Sequence, residues 1–322
     1  MRKVLGAAAL CCGIVFSGFA QYGPPAPGAP VAPMTLGRLL LVDAARVGSR
    51  IVAVGDHGFI VWSDDEGATW RRARSPEAPL LTAIAFIDAR HGLAVGHDAV
   101  ILATDDGGES WKQVFSAPSE QRPLLTVIFA SPTHAIAAGA YGAYYDSMDG
   151  GRTWNARKIL EQDKHLNGLV ALAPGHLMIL GEEGTILVSR DEGATWSAVP
   201  SPYKGSFFGG IVADDGAVIA YGLRGRIYRS ADGGSSWAPV DNNSVAALMG
   251  SARLPDGALV LAGAAGTALV SRDAGRSFQP IETNTPRMLA KPVLGAPNQL
   301  LLLGEAGPLP VRLPLQRTAH SP

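Results

Sequence analysis

Two sets of residues in this 322-residue chain have the means to do chemistry. Asp56, His57, His97, Asp98, Glu182 and Glu183 lie inside short Gly-x-x-Gly/Ala phrases. Carboxylates at a fixed separation are what glycoside hydrolysis needs, and His/Asp pairs on neighbouring units are the material of a metal site. Nothing specifies which carboxylates pair, however, and no metal-ligand spacing is present, so exposed turn residues are the better reading. The second set is Asp65, Asp106, Asp149, Asp191, Asp232 and Asp273, each at the third position of Ser/Thr-x-Asp-x-Gly-x-Thr/Ser-Trp/Phe. Runs such as Asp64-Asp65-Glu66 invite a calcium reading, but the EF-hand spacing and its closing bidentate Glu are absent. These aspartates read as turn builders: Asp accepts bonds from N–H groups just ahead, and Gly supplies positive φ. The aromatic that follows then has a large apolar body to bury.

The elements that position these residues repeat. The closing aromatics are Trp70, Trp111, Trp154, Trp196, Trp237 and Phe278, a period of 41 to 43 residues. A Gly-x-x-Gly phrase precedes each box, with Ala99 in place of the last Gly once, and appears a seventh time as Gly304-x-x-Gly307. Such a period means one supersecondary unit that cannot bury its apolar face alone. Unit two shows the plan: strands near 81–87, 93–95 and 100–103 with a fourth at 111–115, all short and bounded by Gly or Asp turns. Four antiparallel strands per unit, repeated radially, predict an all-β chain folded as a seven-bladed β-propeller of four-stranded antiparallel blades. Six blades with a degenerate tail is the alternative. The seventh unit lacks the box and a clear fourth strand, and residues 31–36 are the candidate to complete it, as a short edge pairing because of their prolines.

Composition narrows the function classes. The net charge is −1 and no run of five like charges occurs, so nucleic acid has no electrostatic footprint. Of 27 Lys and Arg only six are Lys, read as compositional bias rather than phosphate recognition. Residues 1–20 read as a signal peptide: Arg2 and Lys3, an apolar run, then Gly18-Phe19-Ala20. Both cysteines, Cys11 and Cys12, fall inside it, which leaves a mature chain without thiol chemistry. Residues 21–36 are a Pro/Gly-rich leader, 37–314 the propeller and 315–322 a C-terminal tail.

The repeated phrase resembles the Asp-box (BNR) repeat of sialidases, some glycoside hydrolases and sortilin. The combination of apolar strand, His91-Gly92, Gly-x-x-Gly, Thr104-Asp105-Asp106-Gly107-Gly108 and Trp111 is more particularly similar to the photosystem II stability/assembly factor family. That resemblance implies an exported, non-catalytic propeller that binds a protein partner and aids assembly or stability of a membrane or envelope complex. The alternative is an Asp-box glycoside hydrolase or sialidase-like protein, against which stands the lack of an Arg-Ile-Pro phrase. No cofactor and no metal are expected, and the protein is expected to be a monomer. Binding residues belong on loops held by a rigid scaffold. The Gly-x-x-Gly turns and inter-blade loops should share one face, opposite the boxes, with Arg224, Arg287, Arg122, Arg74, His57, His97, Tyr141 and Lys204 as partner-binding candidates. Intact-mass measurement of the protein from its own host should show cleavage after Ala20, and a species retaining residues 1–20 would refute the export reading.

Overall fold

Runs such as Ile51-Val52-Ala53-Val54 and Leu300-Leu301-Leu302-Leu303 carry no polar alternation, as a strand buried on both faces requires. The computed structural model, which describes residues 34–313, places each such run second in a small antiparallel sheet. In blade 1, β1 (Leu41–Val47), β2 (Arg50–Gly55), β3 (Ile60–Ser63) and β4 (Arg71–Arg72) pair in chain order. The next five blades repeat that order through β5–β24, and blade 7 has β25 (Leu289–Leu294), β26 (Gln299–Gly304) and β27 (Gly307–Arg312). The chain is an all-β, seven-bladed propeller, and its only helical segments among the described residues are single 3-10 turns.

The core is seven joints rather than one centre. Alternate residues of β2 go to opposite sides: Ile51 and Ala53 pack with Val293, Leu301 and Leu303 of blade 7, while Val52 and Val54 pack with Leu81, Ile84 and Ala94 of blade 2. Every buried cluster straddles two neighbouring blades in this way. Polar ties along the inner strands reinforce the joints. Asp43 accepts the Ile84 N–H, the Thr82 hydroxyl donates to the Leu124 carbonyl, Thr126 accepts the Leu169 N–H, and Asn167 donates to the Phe207 carbonyl. The ring closes without a shared sheet. Lys291 of blade 7 meets Asp43 of blade 1 at 2.9 Å, and the Arg46 guanidinium donates to the Leu294 and Gly295 carbonyls.

Blade 7 departs from the four-stranded plan. Of the expected completing strand near 31–36 only 34–36 are described, and they belong to no strand. Met34 N–H donates to the Trp70 carbonyl and Gly307 N–H to the Leu39 carbonyl, so the entering chain crosses between blades 1 and 7. Pro308 and Pro310 explain the open edge. β27 pairs with β26 over its whole length, so these alternate residues, which lack an N–H, turn their nitrogens outward. An edge stripped of donors cannot accept a regular ladder. The signal peptide at 1–20, the leader before 34 and the tail at 315–322 lie outside the described residues.

The Gly-x-x-Gly phrase has two separate causes. A Cβ on Gly139 would lie 2.0 Å from the Pro123 carbonyl oxygen, so the first glycine is there for close approach, with an extended φ of −170°. The last position needs left-handed backbone, which Ala99 adopts at φ 50° where the other blades use Gly. Gly139→Ala should therefore destabilise by about 1–3 kcal/mol, and Ala99→Gly should be neutral or stabilising by up to ~1 kcal/mol. Urea unfolding of both variants checks this, and a Gly139→Ala midpoint equal to wild type would contradict it.

Candidate functional site: two rims of the ring

The box rim is built from the bottom up by one hydrogen-bonding pattern. In blade 1 the Ser63 hydroxyl donates to Asp65 Oδ1 at 2.7 Å and accepts the Gly67 N–H at 2.8 Å. Asp65 also accepts the Thr69 N–H at 2.8 Å and its hydroxyl at 2.5 Å, and Trp70 Nε1 donates back to the Gly67 carbonyl. Asp106, Asp149, Asp191, Asp232 and Asp273 repeat the same bonds with their own Ser or Thr. Trp111, Trp154 and Trp237 also donate to their box glycine, whereas Trp196 donates to the Tyr144 hydroxyl of blade 3. Each box aromatic sits in the joint with the preceding blade; Trp70, Trp111, Trp154 and Phe278 are buried, Trp196 and Trp237 half-buried.

These bonds hold the carboxylates ionised. The Thr69 hydroxyl and N–H bring Asp65 down to about 2, and the equivalent Thr195 and Ser236 groups do the same for Asp191 and Asp232. Asp149 is lowered further by Thr153. For Asp106 and Asp273 burial pushes upward, but the bonds from Ser110 and Ser277 still leave both below the usual carboxylate value.

The other rim carries the Gly-x-x-Gly turns, against which the inter-blade loops dock: Gly142 N–H donates to the Lys164 carbonyl, Gly184 to Gly205, and Gly266 to Arg287. The third residue of the turn is left-handed in the first six blades, with His57, Asp98, Tyr141, Glu183, Arg224 and Ala265 at φ 51–58°. That conformation turns the side chain away from the blade.

The rim is uneven around the ring. His57 pairs with Asp56 at 2.9 Å, Glu183 with Lys164 at 3.1 Å, and Glu182 accepts the His165 N–H. His97 is half-buried, and Tyr141, 50% exposed, packs its ring at a tilt against His165 at 4.9 Å. Among the described residues no group of three or more His, Cys, Asp or Glu gathers as a metal site. Arg224 and Lys204 are both exposed around blade 5. The Tyr203 hydroxyl donates to the carbonyl of Leu223, beside Arg224, and the 242–246 loop lies against Gly225. Leu223 is 38% exposed and Val245 87% exposed, an apolar contribution that charge-based reading of the loops missed. Arg122 and Arg287 are exposed on the loops before blades 3 and 7. Arg74 lies elsewhere: its N–H donates to the Glu109 carbonyl and its carbonyl accepts the Trp111 N–H, which places it beside blade 2's box.

Arginine has a structural use that composition did not reveal. Arg50 pairs with Asp64 and donates to the Gly107 carbonyl and to Glu109 of the next blade. Arg157 pairs with Asp146 and reaches the Gly193 and Ala194 carbonyls, and Arg229 pairs with Asp215 and reaches the Ala274 carbonyl. Each is a staple across a joint.

Residues 113–262 match the family model described as photosynthesis system II assembly factor YCF48. The photosystem II assembly lipoprotein Ycf48 of Synechococcus sp. (strain CC9902) is 31% identical over 115 residues, 31% of this chain and 33% of the relative. The match thus spans about a third of the length of that curated relative. Among solved structures, YCF48 bound to a D1 peptide superposes with a TM-score of 0.69 at 21% identity, covering 91% of this chain and 97% of the other. YCF48 from Cyanidioschyzon merolae gives 0.69 at 17% identity, over 89% and 99%. A family GH74 xyloglucanase from Xanthomonas campestris gives 0.69 at 14%, over 91% of this chain and 55% of the enzyme. At these identities the structures speak for the fold, and the sequence matches over the central blades carry the family likeness.

The box carboxylates predict an acid limit. Their folded pKa values lie below the unfolded 3.8, so their contribution is present above about pH 4 and is lost as pH falls toward 2. Thermal midpoints should fall steeply from about pH 4 to 2, and Asp232→Asn should lower the neutral-pH midpoint while flattening that fall. An equally steep acid fall in the variant would remove the box from the explanation.

Proposed function

We propose, on the premise that this chain is an Asp-box propeller similar to the photosystem II assembly factors, that it is a non-catalytic scaffold. Its partner is a protein of a membrane or envelope complex, whose assembly or stability it aids, and it works after export from the cytoplasm. The observation that carries this reading is the sector of the turn rim around blade 5, where Leu223, Arg224, Val245 and Lys204 stand exposed. No hydrogen bond or ion pair of the Arg224 side chain occurs among the described residues. An apolar surface edged by free cations suits an acidic or carboxylate-ended peptide, and Arg is enriched among the few interface residues that carry most of the energy. Left-handed backbone at a non-glycine residue costs roughly 1–2 kcal/mol, yet Arg224 keeps its side chain there at φ 58°. The carboxylates elsewhere on the rim support no glycosidase reading as a pair, since Asp56 and Glu183 are each bound to a neighbouring cation or histidine. On this proposal Arg287, Arg122, His57, His97 and Tyr141 are secondary contacts, while Arg74, beside a box, contributes least.

Arg224→Glu should weaken partner capture by about tenfold or more, or at least ~1.4 kcal/mol, while stability stays within about 0.5 kcal/mol. Arg190→Glu, exposed on the box rim of blade 4, should leave capture unchanged. Quantitative pull-downs of both variants from solubilised membranes of the native host decide it, and equal capture by the two would sink the assignment of the turn rim.

A further inference from the structure

The three arginine staples start from different points of the repeat and all end on backbone carbonyls of the next blade's box. In blade 5 the residue just before the box is Arg229, which reaches the Ala274 carbonyl in the next blade's box and pairs with Asp215. Asp215 also pairs with Arg276 of that box. In blade 1 the same position is Trp62, over which Arg50 lies at 4.2 Å while reaching the Gly107 carbonyl. In blade 3 it is Asp146, which holds Arg157 on the carbonyls of blade 4's box. In blades 4 and 6 it is Val188 or Val270, packed in the apolar joint.

Blade 2 has Ala103 there, and nothing takes its place. A cavity of about 690 Å³ opens between blades 2 and 3, bordered by Ile87, Asp88, Ala103, Val114, Phe129 and Gly150. The acceptor side of the socket is intact. Gly150 is the counterpart of Gly107, and its N–H donates to the Thr133 carbonyl as that of Gly107 donates to Arg90. Asp88 sits in the same inter-strand turn as Asp215 does in blade 5, and Arg152 stands where Arg276 stands. His91, the counterpart of Arg50, is turned onto Asp88 at 2.8 Å and lines the cavity beside it. Asp88, Asp105 and Asp149 bring three carboxylates to the cavity against Lys112 and Arg152.

We propose that this socket receives an arginine side chain from a protein partner, completing from outside the staple that the chain supplies itself at three other joints. A planar guanidinium can donate to the Gly150 carbonyl and to Asp88 at once, which the point charge of a lysine cannot do. Ile87, Val114 and Phe129 provide an apolar wall for the stem, and the cavity is larger than one arginine side chain needs. That leaves room for the flanking residues of a peptide segment. The site lies on the box rim, so it is separate from the surface around Arg224.

The test is an NMR titration of the ¹⁵N-labelled protein with a blocked Ala-Arg-Ala peptide, followed at the amides of Thr104, Gly150 and Gly151. Saturable shifts at these amides are expected. Replacing the peptide's arginine by citrulline should weaken binding at least tenfold. Ala103→Arg, which fills the socket from within, should abolish the shifts, and Arg224→Glu should leave them unchanged. Absence of saturable shifts, equal binding of the citrulline peptide, or full binding by Ala103→Arg would each overturn the proposal. Free arginine amide binding as tightly as the peptide would make this a small-molecule site and overturn the protein-partner assignment. The citrulline comparison uses the unaltered protein, so it stands even if Ala103→Arg fails to fold.

Discussion

A blade of this protein has two apolar faces and can cover neither by itself. Everything else in the structure depends on the joint that two neighbouring blades make. The second strand of each blade is buried on both sides because it serves two joints, and the box aromatic of one blade fills the gap against the blade before it. The box carboxylate matters because it fixes the hairpin that aims that aromatic. Its bonds to two hydroxyls and a backbone N–H leave the turn few alternatives. Closure follows the same rule. Blade 7 joins blade 1 through side chains, with Leu301 and Leu303 packed on Ile51 and Ala53 and with Lys291 on Asp43, rather than through a strand shared between the chain's ends.

The two rims divide the labour that follows from this frame. On the box rim, charged side chains are largely consumed in holding the ring: Arg50, Arg157 and Arg229 bind backbone carbonyls of the adjoining blade as well as carboxylates. Carbonyls at a joint need donors because buried backbone acceptors left without partners are costly. On the turn rim the backbone is satisfied by the inter-blade loops, and the left-handed residue at the turns of blades 1 to 6 has its side chain free to vary without disturbing a joint. That freedom is why the turns differ so widely, from Asp98 to Tyr141 to Arg224, while the boxes scarcely differ at all.

The fold was legible in the chain because the signals are local and repeated. Ser189, Asp191, Gly193 and Thr195 lie within one turn, so their mutual bonds follow from spacing alone, and six copies in register leave little room for another architecture. The candidate binding surface was legible only in part. The turn and loop residues could be assigned to one rim, but Arg74 could not be separated from them, because its place beside Glu109 and Trp111 depends on how far one blade is rotated against the next. Leu223 and Val245 were missed for the same kind of reason. An apolar residue in a turn or loop can fold back onto the core or stand in solvent, and only its neighbours decide which.

What the sequence alone determined is whatever rests on contacts within a repeat: the hairpins, the four-strand plan of a blade and the split into two rims. What only the tertiary structure decided rests on contacts between repeats. That no strand from 34–36 completes blade 7 required knowing that β27 pairs with β26 along its full length, which turns Pro308 and Pro310 outward. The staple role of arginine required knowing which carbonyl lies across each joint. The empty socket beside Ala103 is invisible as a pattern, since alanine before a box is unremarkable until the opposite wall is in place. Short-range spacing encodes turns directly. The chemistry of a joint appears only when segments some forty residues apart are brought face to face.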